Sequence, residues 1–404
     1  MKNILILTFW SYKDALIQTY TLPYVRMIQK SSKSQVYMVC LEQTPLALNK
    51  EEKVQVAKEL KKEDIFPIFL PYHRFGIKQA FILFFAQINL IKLILTKKVH
   101  TIHAWCTPAA AIGVFLSILT NRRLVIDSYE PHAESMIENG TWSKQSIAYR
   151  MLSRLEKFAT YRAKYFVATS SGMLKYALEK YSKTIEPSSF FVKPSCTNLE
   201  LFKPMHKDIE LIKQLGLESK IVCVYAGKLG GIYLEKEVFE FIFSCYSYWG
   251  ENFRFLLLSN APQVQIDSLI NSNNIPRNIV INKFVPHHLI PHYMALADFA
   301  LNPVKPVYTK QFCTSIKDGE YWAMGLPIVI TKDISDDSQI ISDNNIGYVL
   351  QELTNNEYQK AIQKIDELLK SNTDELKKRI RAIAEKYRNY SIAENIYSQI
   401  YNSN

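Results

Sequence analysis

The 404-residue sequence predicts an α/β protein built of two Rossmann-like, doubly wound domains in tandem. Three observations predict it. The length is too great for one ordinary domain and suits two of about 150 to 200 residues each. Short apolar runs of strand length alternate with segments of helical length, the order that builds βαβ units and a parallel sheet covered on both faces. The alternation stops at an irregular, polar stretch over residues 195–219 and then begins again.

The first series of strand-like runs is Ile4–Thr8, Val36–Leu41, Ile65–Leu70, Thr101–Trp105, Leu124–Asp127, Phe166–Thr169 and Phe190–Pro194. Helical stretches fall between them, notably at 78–96, 107–119, 143–163 and 171–180. The second series is Ile221–Tyr225, Phe255–Leu258, Ile279–Ile281, Phe299–Asn302, Pro327–Ile330 and Tyr348–Leu350, separated by helices at 234–248, 286–297, 315–324 and 355–370. The tail, 374–402, reads as helix with no strand after it. The expected division is an N-terminal domain over 1–195, a C-terminal domain over 196–375, and helices over 376–404 crossing back to the first domain. Ligands of such sheets bind outside the carboxyl ends of the strands, so the site residues are sought there.

Apolar residues make up 48% of the chain, enough for a core in each half. No segment reaches the roughly 18 uncharged apolar residues that a membrane-spanning helix needs. The first residues, Met1–Leu7, are too short and poorly flanked for a signal peptide and read as a first strand. Six cysteines without a Cys-x-x-Cys pair suggest reduced core thiols and a cytoplasmic address. The net charge of +11 is uneven: residues 1–200 hold 27 Lys and Arg against 15 Asp and Glu, the remainder 22 against 23. A basic first half suits an anionic partner such as nucleic acid, acidic lipid or a phosphorylated acceptor, or is simply a solvated face. No nucleic-acid recognition motif accompanies it.

The segment Thr314–Ile330 carries the most chemistry. Ser315 suits a helix N-cap, Asp318 the first turn, Gly325 the left-handed position after the last turn, and Pro327 ends the helix before a buried strand. The N–H groups at Ser315, Ile316 and Lys317 then present an anion site, with Lys317 adding charge. Glu320, one turn in, is placed to accept two vicinal hydroxyls such as those of a ribose. A well-capped structural helix with a surface glutamate is the plainer alternative. Lys228 closes a strand just before Gly230-Gly231, where a backbone can approach a ligand closely. Thr8–Tyr12 follows the first strand in place of a Gly-x-Gly-x-x-Gly, which argues against a dinucleotide-dependent oxidoreductase.

Lys317, Glu320, Tyr321, Ala323, Gly325 and Pro327 resemble the signature of glycosyltransferases of the GT-B fold, particularly the retaining family 4 type of bacterial polysaccharide assembly. The resemblance implies two domains facing across a cleft, a glutamate (Glu320) on the donor ribose, and backbone amides on the diphosphate. Tyr225-Ala226-Gly227-Lys228 resembles the family's strand-end glycine and donor-binding basic residue, and Lys236 its second basic residue. It implies a sugar moved from a UDP- or GDP-sugar to a glycan or lipid-linked acceptor, with no metal or other cofactor. His287, His288 and His292 lack an Asp or Glu ligand in register and read as helix-start residues. One departure stands out. The family's second glutamate, eight positions before the ribose-binding one, is Phe312 here, which alters the expected donor sugar or removes turnover.

Acceptor-side candidates sit at strand ends. His103 resembles a family histidine that contacts donor sugar, although Trp105 also suits that position and a satisfied core histidine is the plainer reading. Glu130, His132 and Glu134 follow the next strand and are candidates to orient or deprotonate an acceptor hydroxyl. The apolar stretch from Phe75 to Ala86, continuing to Lys97-Lys98, reads either as a core-facing helix or as one lying on an anionic membrane. A GT-B sugar-nucleotide epimerase and a catalytically silent GT-B subunit remain the alternatives to a transferase.

Overall fold

The computed structural model describes residues 2–72, 77–371 and 373–402. Phe75 and Gly76, where the apolar stretch above begins, lie outside them. The chain forms two compact units, Met1–Lys193 with Ser391–Asn404, and Pro194–Tyr390.

The first unit is a seven-stranded parallel sheet of β1 (Asn3–Leu7), β2 (Val36–Glu42), β3 (Ile65–Pro71), β4 (Val99–Trp105), β5 (Arg123–Tyr129), β6 (Tyr165–Ala168) and β7 (Phe190–Val192), in the order β3-β2-β1-β4-β5-β6-β7. Its connecting helices are α1 (Leu22–Ser32), α2 (Lys50–Lys61), α3 (Ile77–Thr96), α4 (Thr107–Thr120), α5 (His132–Glu138), α6 (Ile147–Arg162) and α7 (Met173–Tyr181). All seven residues of β2 are buried, as a central strand covered on both faces requires.

The second unit holds β8 (Ile221–Ala226), β9 (Phe253–Leu258), β10 (Val280–Lys283), β11 (Phe299–Asn302), β12 (Ile328–Thr331) and β13 (Gly347–Leu350), all parallel, in the order β10-β9-β8-β11-β12-β13. Its helices are α8 (Ile209–Leu215), α9 (Lys236–Trp249), α10 (Gln263–Ser272), α11 (Ile290–Met294), α12 (Ile316–Ala323), α13 (Asp337–Asn344), α14 (Asn355–Lys370) and α15 (Thr373–Tyr387). The last helix, α16 (Tyr390–Asn402), belongs from Ser391 onward to the first unit.

Each strand run expected from the sequence is a strand here, within a few residues. Several polar helices were not singled out, among them α2, whose one buried residue is Leu60. The tail is the two helices α15 and α16. The break falls at Arg388, which is buried and whose carbonyl accepts a 2.8 Å bond from the Thr197 N–H. Gly347 of β13 lies so close to β12 that a Cβ there would overlap the Ile328 carbonyl. That partner is backbone and cannot rotate away. Gly347→Ala is therefore expected to cost about 3 kcal/mol or more, read as a lowered urea midpoint, because overpacking of this kind typically costs about 1–3 kcal/mol even against side chains.

Candidate functional site

The strand order of the second unit reverses between β8 and β11, and the donor-binding candidates converge at this switch point. β8 ends at Ala226, whose N–H donates to the Tyr321 hydroxyl at 2.9 Å and so ties the strand end to α12. The next residue, Gly227, is what admits Lys317: a Cβ on Gly227 would overlap the lysine Cε. Lys317 Nζ donates to the Tyr233 hydroxyl at 2.7 Å and lies 4.0 Å from the centre of the Tyr233 ring. Tyr233 is placed by the turn at Gly230 and Gly231, both at positive φ, and by its bridge to Val304 after β11. Gly227 and Lys317, both expected on the donor side, are thus one structural pair, with Tyr233 its unforeseen third member.

Ser315 occupies the N-cap of α12, but its side chain makes no capping bond; its N–H meets the Asp337 carboxylate at 3.4 Å. Gly325, at φ +76°, takes the expected left-handed position after the helix. The first-turn amides at Ile316 and Lys317 have no intrahelical acceptor by helix geometry, and no side-chain cap from Ser315 competes with an incoming anion. Glu320 lies one turn further along, its side chain 13% exposed, with Oε1 3.4 Å from His287 Nε2. His287 packs edge-on to Phe202 at 5.6 Å. Sequence reading took His287 only for a helix-start residue; the pairing across 33 positions gives no local signal. Lys228 is exposed, and its carbonyl accepts from the Tyr225 hydroxyl. Lys236 is not drawn into this group: it pairs with Glu240 on its own helix at 3.0 Å, its side chain 75% exposed. Phe312 is buried and packs edge-on to Tyr308 at 5.1 Å, a core residue where the resemblance leads one to expect a sugar-binding carboxylate.

Beneath the helix start lies a buried polar layer that sequence reading missed. Asp318 is fully buried and accepts from Asn302 Nδ2 at 2.6 Å. Burial, and then the neighbouring Asp337 carboxylate, push its pKa well above the usual range. Arg388 pairs with Asp337 and stacks 4.9 Å over the Trp322 ring. Gly319 makes room for this layer, since a Cβ there would overlap the Thr197 hydroxyl and crowd the Arg388 methylenes.

In the first unit the acceptor-side candidates separate. His103 is wholly buried, with Nδ1 2.6 Å from the Tyr401 hydroxyl and Nε2 3.2 Å from Asp127. This is the plainer of the two expected readings, a satisfied core histidine, and it takes His103 out of the catalytic candidates: both ring nitrogens are occupied, and it serves the packing of α16. Asp127 also accepts from the Tyr397 hydroxyl at 2.7 Å and lies 3.2 Å from the buried Lys193, which stacks 3.7 Å over Tyr24. Burial raises the Asp127 pKa, but Lys193 and the His103 and Tyr397 bonds outweigh it and hold the carboxyl below its usual value. Glu134 is likewise committed, bonded to Lys180 at 2.5 Å and to the Tyr176 hydroxyl at 2.8 Å. Glu130 and His132 remain partly exposed, 3.8 Å apart, and His132 lines a cavity.

All six cysteines are free thiols, and burial pushes that of Cys40 up to about 12. Among the described residues no group of three His, Cys, Asp or Glu side chains is placed to share a metal ion, and no helix is long and apolar enough to cross a membrane.

Solved structures similar to this chain include HepE from Anabaena in complex with UDP and glucose, at 16% identity, full coverage of both chains and a TM-score of 0.72. Sucrose-phosphate synthase from Thermosynechococcus elongatus matches at 16% identity, covering 100% of this chain and 98% of its own, with a TM-score of 0.72. WaaG, a glycosyltransferase involved in lipopolysaccharide biosynthesis, matches at 14% identity over the full length of both, with a TM-score of 0.70. Two parallel sheets of seven and six strands, matched along their whole length by these structures, define the GT-B fold. No curated protein sequence matches the chain. Residues 255–400, which include α12 and Glu320, match the glucosyltransferase 3-like, C-terminal domain.

Proposed function

We propose that the chain is a retaining hexosyltransferase, of the family 4 kind, that takes a sugar from a UDP-sugar and passes it to a glycan or lipid-linked acceptor in surface glycoconjugate synthesis. One observation carries this reading: Lys317, seated on Gly227, stands at the open start of α12 one turn before Glu320. The match to a glucosyltransferase 3-like domain supports it, as do the HepE structures in complex with UDP and with UDP-glucose. Glu320, with His287 beside it, accepts the ribose hydroxyls. Lys317 and the amides at Ile316 and Lys317 hold the diphosphate, with Lys228 at its edge, and take up the charge that develops as the sugar–phosphate bond breaks. No metal ion or other cofactor enters this scheme. On the acceptor side, Glu130 and His132 are the groups left to orient a hydroxyl.

A thermal-shift screen of UDP-, GDP- and ADP-sugars tests the donor. A ligand held only by the folded state raises the apparent stability, by about 2.7 kcal/mol at a hundred times its Kd. A UDP-sugar is expected to raise Tm most; no response to any nucleotide sugar would remove the reading. The buried Phe312 favours a second reading, a silent subunit that binds donor without turnover. Donor binding with neither transfer nor slow donor hydrolysis would decide for it.

A further inference from the structure

His287 and Glu320 come from separate elements, and two residues far from either in sequence set the contact between them. Glu320 Oε1 lies 3.4 Å from His287 Nε2, and the Phe202 ring stands edge-on to the same imidazole at 5.6 Å. The imidazole side chain is half-exposed, while Phe202 is buried, so a mobile ring is backed by a fixed one.

Phe202 is fixed because it ends a tight turn. The Asn198 side chain accepts from the N–H groups of Glu200 and Leu201, both at 3.1 Å, and the Asn198 carbonyl accepts from the Phe202 N–H at 2.9 Å. Arg381 of α15 closes the turn: Nη1 donates to the Phe202 carbonyl at 2.7 Å, and Nη2 to the Leu199 carbonyl at 3.0 Å. Nη1 also donates at 3.0 Å to the carbonyl of Ala323, the last residue of α12. Glu320 lies on that same turn of α12. One guanidinium therefore holds both sides of the contact, the residue behind His287 and the helix that carries Glu320. Its Nε pairs with Glu385 at 2.9 Å, which sets the plane of the fork. A planar fork with five N–H donors can make these bonds together, and a single ammonium cannot match their directions.

A glutamate free to turn must be ordered when a ligand arrives, which costs roughly two- to tenfold in affinity for one such side chain. Glu320 is ordered beforehand by His287. A carboxylate fixed in this way offers two oxygens at constant spacing, which suits adjacent hydroxyls and gives a lone hydroxyl no such fit. We propose that Arg381 and Phe202 are positioning residues for the donor: acting through His287 they set the Glu320 carboxylate, and that setting makes the site demand a ribose over a deoxyribose. The inference rests on the donor reading above and adds which residues enforce the choice of pentose.

Calorimetric titration of the full chain with UDP and with its deoxyribose counterpart, dUDP, tests it. The unaltered chain is expected to bind UDP at least about tenfold more tightly, since dUDP forgoes a hydrogen bond to a charged group. His287→Ala is expected to weaken UDP by roughly two- to tenfold and dUDP hardly at all, so that the preference shrinks. Phe202→Leu and Arg381→Lys are expected to shrink it in the same way with His287 still present. Combining Phe202→Leu with His287→Ala should cost no more than His287→Ala alone, because one residue acts through the other. Should Arg381→Lys fail to fold, Phe202→Leu and the double variant carry the test. A merely structural role would weaken both nucleotides equally; that result, an unchanged preference, or additive losses in the double variant overturns the proposal while UDP binding leaves the donor reading standing. No UDP binding by the unaltered chain removes the donor reading itself, and the proposal with it.

Discussion

Glu320→Ala is expected to weaken UDP binding by about ten- to a hundredfold in titration calorimetry, with the unfolding transition unmoved. A hydrogen bond to a charged group is worth about 1.5–3 kcal/mol, and about 1.4 kcal/mol is a factor of ten. The side chain is partly exposed on α12, and alanine is a good helix former, so the loss belongs to the ligand and not to the fold. Glu320→Gln, which keeps one acceptor without the charge, should fall between. Gly227→Val tests the other half of the site, because the added side chain must displace Lys317 from its seat against Tyr233. Unchanged affinity in Glu320→Ala would remove the ribose role, and unchanged affinity in Gly227→Val the role of Lys317.

Arg388→Met is expected to lower stability by about 3–5 kcal/mol in urea unfolding, the usual cost of stripping one partner from a buried ion pair. It leaves Asp337 beside Asp318 with no cation. Adding Asp337→Asn should restore much of the loss, since the two substitutions act on one contact. The same layer sets a pH dependence. Asp318 is protonated more tightly in the folded chain than in the unfolded one, so its contribution is full below the ordinary carboxyl range. It declines as pH rises through the raised value. Glu156, buried and also shifted well upward, adds in the same direction. Asp318→Asn should flatten part of that decline; an unaltered pH–stability curve would show that the Asp318 proton is not held as described.

The sequence alone determined the two parallel sheets, every strand in them and the bounds of α12, because each is written in adjacent residues: continuous apolar runs for strands buried on both faces, and a glycine and a proline just past one short helix. It also marked Gly227, Lys317 and Glu320 as belonging together, though only by resemblance. Which partners those residues meet was decided by the tertiary structure. Lys317 finds Tyr233 across 84 positions, Arg388 finds Asp337 across 51, and His103 is sealed by Tyr401 from 298 positions away. Strand order creates those encounters, and strand order is a property of how β8 and β11, or β4 and β5, come to lie side by side. The burial that turned His103 and Phe312 into core residues, and left His132 on a cavity wall, arises from the same packing and has no signature in the local chain.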